Sequence, residues 1–161
     1  MQIETVRIVI ALVLLSAVCV TDVKHRRAPN IITFPAIAAG MFLCVLTPEK
    51  DALMRFAGLL IWFALGSLRL MGMGDLKVIM ALNTLFGFIP SVHILLISCL
   101  CMMVFCLVTN TSEARMSLVN IKNLMFYHTP IPREGKTKYP FTVFISAGYI
   151  IWLCLIRSGI I

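Results

Sequence analysis

Apolar residues fall in long unbroken runs along this chain. The runs occupy 3–20, 31–46, 52–70, 76–89, 92–108 and 141–156, with short polar or charged connectors between them. A helix needs ~20 mostly apolar residues to cross a bilayer core, with a lower limit near ~17. The six runs therefore predict a bundle of six transmembrane helices, several of them short and the fourth the shortest. No connector is long enough for a soluble domain and no internal repeat is visible, so 1–161 reads as a single membrane-embedded domain.

Composition agrees. The chain is 60% hydrophobic and 13% charged, about half the ~25% charge share of soluble domains, and its mean hydropathy is +0.99. The net charge of +7 is not the patch of a nucleic-acid binder, because the basic residues sit between apolar runs. There they set orientation. The first connector carries Lys24, Arg26 and Arg27, the third Arg69 with Lys77 just beyond, and the fifth Arg115, Lys122, Arg133, Lys136 and Lys138. These are ten of the fourteen Lys and Arg residues. The positive-inside rule puts odd-numbered connectors in the cytoplasm and both termini outside. The opening "MQIETVR" is a poor signal-peptide n-region, so the first run is expected to be a retained span.

The fifth connector, 110–139, is the only long one. Asn110 three residues before Glu113 suggests a capped helix start, and Leu118, Ile121 and Met125 recur at helical spacing. An amphipathic helix lying in the cytoplasmic interface is expected, followed by an irregular "TPIPREGKTKYP" that either tethers the chain or covers a site. The six cysteines lie in apolar runs without a C-x-x-C pair and are expected to be buried small hydrophobes. His25, His93 and His128 are separated by topology, so neither a metal site nor a cofactor is expected.

Of the seven acids, five lie in a terminus or in connectors. Asp22, directly after the first run, and Asp75, opening the fourth, both fall at the cytoplasmic boundary. Two carboxylates sharing a poorly hydrated site cannot both ionise easily and tend to hold one proton between them. Such a pair can activate water with one member and protonate a leaving group with the other. Gly72 and Gly74 beside Asp75 leave room for another backbone. Lys77, two positions on, points away from Asp75 on a helix and is expected to reach headgroup phosphates. Pro29 disfavours helix at Ala28, and Asn30 is placed to cap the second span. The structural alternatives are an Asp22–Arg26 pair at i,i+4 and Asp75 as a simple helix cap.

The segment "GMGDLK" at 72–77 resembles the G-x-G-D signature of the type IV prepilin leader peptidase family, membrane aspartic proteases. That family's other aspartate heads a D-x6-P-N pattern, and "DVKHRRAPN" supplies it with Asp22, Pro29 and Asn30 in register. Ala28 stands where an aliphatic residue is usual. "KYPFTVFISAGY" is loosely similar to the family's last span. The resemblance implies Asp22 and Asp75 as catalytic, with Gly72, Gly74, Lys77, Pro29 and Asn30 supporting them. It also implies cleavage of a short basic leader from a prepilin or pseudopilin at the cytoplasmic face of the inner membrane. An insert with paired cysteines accompanies methylation in larger members; its absence here implies a short, peptidase-only form without methyltransferase activity. Archaeal preflagellin peptidases share the short plan. In a different class, a small proton-coupled carrier could use the same two acids. Glu113 and Glu134 are candidate contacts for a basic leader.

Overall fold

In a computed structural model, residues 2–25, 29–46, 52–68, 72–109 and 140–159 are described. They form helices α1 (Gln2–His25), α2 (Asn30–Leu46), α3 (Ala52–Ser67), α4 (Met73–Phe86), α5 (Phe88–Thr109) and α6 (Phe141–Arg157). The expected amphipathic helix over 110–139 and the Asp22–Arg26 pair fall outside the described residues.

Each apolar run became one helix, but several boundaries moved. α1 extends past Val20 to His25. The Thr21 hydroxyl donates back to the carbonyls of Ala17 and Val18 at 3.0 and 2.9 Å, so its polarity is satisfied inside the helix. No Gly or Pro interrupts the chain before Pro29. Asp22 therefore lies in the last turn of α1 and not after its end. α5 begins at Phe88, earlier than the expected 92. Pro90 falls in its first turn, where the missing N–H removes no helical bond.

α4 is the shortest helix, at 14 residues, or ~21 Å. It packs against all five of the others. Leu76 and every residue from Val78 to Leu85 are buried. A helix apolar on all sides belongs in the middle of a bundle, and one enclosed by protein need not span the hydrocarbon by itself. The pairs α3–α5, α5–α6, α6–α1 and α1–α2 close an arc around it. α1 and α5 are long and apolar enough to cross a membrane, and α2, α3 and α6 are shorter apolar helices. Val13, Phe42, Phe63, Leu100 and Ile150 face outward, while Thr33, Asn83, Thr84, Ser91, Ser98 and Thr142 are buried inside. Small and weakly polar residues between helices, with large apolar ones outside, are how membrane helices associate.

Close approach depends on glycine. A Cβ on Gly40 of α2 would lie within 3.0 Å of the backbone of Thr84 on α4. A Cβ on Gly148 of α6 would meet the Ile94 carbonyl and the Ser98 amide of α5, both at 3.0 Å.

The far end of α4 is held by a residue inside the third apolar run. Arg55, 5% exposed, donates from Nη1 to the carbonyls of Leu85 at 3.0 Å and Thr84 at 3.4 Å. Asn83 Nδ2 donates to the Arg55 carbonyl at 2.9 Å. The last carbonyls of a helix lack intrahelical partners, and here a buried cation meets two of them. Gly87, at φ 105°, then turns the chain directly into α5.

The cysteine expectation needs correction. Cys44 is buried, but Cys99 and Cys154 are exposed and Cys19, Cys101 and Cys106 are partly so. Their small apolar side chains suit a lipid-facing surface as well as a core.

Gly148→Ala is expected to force α5 and α6 apart and to lower stability by about 1–3 kcal/mol. Denaturant titration of the detergent-solubilised protein checks this; unchanged stability would mean that the α5–α6 contact is looser than described.

Candidate active site

Four helix ends meet at one end of the bundle: the C-terminus of α1 and the N-termini of α2, α4 and α6. Each brings polar side chains. Asp22 comes from the last turn of α1, Asn30 from the first residue of α2, Asp75 from the first turn of α4 and Thr142 from the first turn of α6.

Asp22 is buried, 9% exposed. Its Oδ2 accepts a hydrogen bond of 2.6 Å from the Thr142 hydroxyl, itself buried. Asp75 is half-buried. α1 packs against α4, which puts both carboxylates at this end of the bundle.

Gly72 precedes α4 in an extended conformation. Its carbonyl accepts the Leu76 amide at 3.1 Å, so the amides of Met73, Gly74 and Asp75 occupy the unpaired first turn, where a carboxylate is favoured. A Cβ on Gly72 would sit 3.0 Å from Asp75 Oδ2. Room was expected here for a second backbone; part of it is taken by Asp75 itself, whose carboxylate folds back over the start of its own helix. Gly74 is half-buried in that first turn.

Two further expectations change. Lys77 lies off the Asp75 side of α4, as its spacing implies, but it does not go to headgroups. Its Nζ donates to Asn30 Oδ1 at 2.6 Å and joins α4 to α2. Asn30 is therefore the first residue of α2 and a cross-link, not its cap. The Pro29 carbonyl starts that helix, accepting the amides of Ile32 at 3.1 Å and Thr33 at 3.3 Å.

Thr142 is not marked by the sequence pattern. One threonine in a loosely matched segment carries no motif. The available signal was its position directly after Pro140–Phe141, at the start of a run expected to begin on the cytoplasmic side.

The family model of the type IV leader peptidase family matches residues 9–107, from α1 into α5. The chain belongs to this family. No curated protein and no solved structure matches it. Membership makes the chain a peptidase of the prepilin-processing kind, in a membrane-associated family. The matched stretch contains both aspartates, together with Pro29, Asn30, Gly72, Gly74 and Lys77. α6, which brings Thr142 to Asp22 in this leader peptidase, lies beyond the matched stretch.

Because an added methyl would press on Asp75 Oδ2, Gly72→Ala is expected to slow leader cleavage about tenfold or more while the peptidase accumulates normally. Cleavage rate per amount of membrane-extracted protein measures this; wild-type activity would show that the carboxylate's position beside Gly72 is unimportant.

Proposed function

We propose that this leader peptidase is a six-span aspartic endopeptidase of the inner membrane with both termini outside. It removes the short basic leader of type IV prepilins or pseudopilins at the cytoplasmic face and uses Asp22 and Asp75 as its catalytic pair. What supports the reading is the family match together with the placement of the two acids, distant in sequence, in the last turn of α1 and the first turn of α4, helices that pack on one another.

Held together where water is scarce, the pair keeps one proton and one negative charge. The ionised member takes a proton from water as its oxygen attacks the scissile carbonyl carbon. The protonated member gives its proton to the carbonyl oxygen, forming a tetrahedral diol. Collapse of the diol expels the amine, which takes up a proton, and leaves one new carboxyl and one new amino terminus. Every atom comes from peptide and water, so the scheme draws on no metal or cofactor, and without a paired-cysteine insert no methyl transfer is proposed. Lys77 is engaged by Asn30 and so does not neutralise the pair, which leaves negative charge to meet a basic leader. A carrier reading fits less well, because carriers hold their coupling acids near the midplane and these acids sit at helix ends.

Asp22→Asn and Asp75→Asn are each expected to abolish processing of a co-expressed prepilin while the protein still inserts. N-terminal sequencing of the prepilin reads the outcome, and near-normal cleavage by either variant would falsify the dyad. Wild-type activity should follow a bell-shaped pH profile, falling when both acids are protonated and again when both are ionised.

A further inference from the structure

The Thr142 hydroxyl distinguishes the two carboxylates. Most hydroxyls in this fold donate back to a carbonyl one helical turn earlier: Ser98 to Ile94 at 2.6 Å, Ser146 to Thr142 at 3.0 Å, Thr21 to Ala17 at 3.0 Å. Thr142 is the second residue of α6 and has no preceding turn of its own helix. Its proton goes across to Asp22 Oδ2 at 2.6 Å instead. The bond is buried at both ends, with Thr142 2% exposed and Asp22 9% exposed.

A hydrogen bond donated to a carboxylate stabilises its charged form, and the more so where water cannot compete. Among the described residues, the helices packed on α1 bring few other charges to Asp22. α4 brings Asp75 and Lys77, and Lys77 is held by Asn30. α6 brings Tyr149, two turns further on, and Arg157 at the opposite end; α2 brings none. Lys24, on α1 itself, is exposed.

Resting on the aspartic-peptidase reading above, we propose that Thr142 is a positioning residue that holds Asp22 ionised, so that Asp22 is the base toward water and Asp75 carries the shared proton. Asp22 then takes the proton from the attacking water while Asp75 gives its own to the carbonyl oxygen. The two exchange roles when the diol collapses, which returns the proton to Asp75 for the next turnover.

The test is the pH profile of kcat/KM, measured on the full-length protein in detergent with the prepilin cleaved in the co-expression assay. Thr142→Val removes the donor at nearly constant shape. Asp22 then ionises less readily, so the acid limb should move up by about one pH unit with the alkaline limb nearly unmoved. Thr142→Ser, which restores a donor, should return the limb to its wild-type position. Limbs unmoved in Thr142→Val, whatever the rate, would reduce Thr142 to packing and overturn the assignment, and movement of the alkaline limb alone would reverse the two roles.

Should the valine variant not accumulate, Thr142→Ala replaces it. A second measurement needs no turnover. In an Asp75→Asn background, the protonated-carboxyl infrared band of Asp22 should titrate about one pH unit higher with Val or Ala at 142 than with Thr, and equal titration rejects the proposal. Failure of the underlying reading looks different: Asp22→Asn or Asp75→Asn would still cleave.

Discussion

The enclosure of α4 is the constraint on which the rest of the structure depends. A helix buried on every side has one rotational setting and one depth, because each face is shaped by a different neighbour. Within a membrane, packing contacts take over from water exclusion as the cohesive force. Gly40 lets α2 come against Thr84, and Arg55 clamps the last carbonyls of α4. Once α4 is fixed, the position of Asp75 follows. The helices that enclose α4 carry Asp22, Asn30 and Thr142, and their ends bring these groups to the same level.

The arrangement at that level is electrostatically asymmetric. Asp22 is the more buried acid and has a dedicated donor; Asp75 is more accessible and rests on the amide-rich start of its helix. Lys77, two positions from Asp75, is drawn sideways to Asn30. A lysine bound directly to either acid would hold that acid charged by a point charge and weaken the sharing of one proton. A neutral hydroxyl biases the pair without adding charge.

Much of this was legible in the sequence. The number of helices followed from run length, and counting Lys and Arg in connectors put Asp22 and Asp75 at one expected depth, a rule that knows nothing of chemistry. Other features were hidden for physical reasons. Helix ends moved because apolarity marks where lipid begins and ends, whereas a helix continues until a breaker stops it, as α1 does through Thr21 and Asp22. The partner of Lys77 is hidden because spacing shows which side of a helix a residue takes and not which neighbour waits there. Arg55 was passed over because one cation in an apolar run has no pattern; its reason is the end of another helix about thirty positions away. Thr142 was invisible for the same cause, since its significance lies entirely in its partner.

The hydrogen bond to Asp22 joins residues 120 positions apart, and this bears on biosynthesis. A chain made from its N-terminus releases α1 and α4 well before α6, so both acids emerge well before the threonine arrives. Until α6 docks, the nascent protein holds both carboxylates without the hydroxyl that Asp22 receives from Thr142. A product broken off before α6 would keep both acids and most of the described bundle yet lack that hydroxyl.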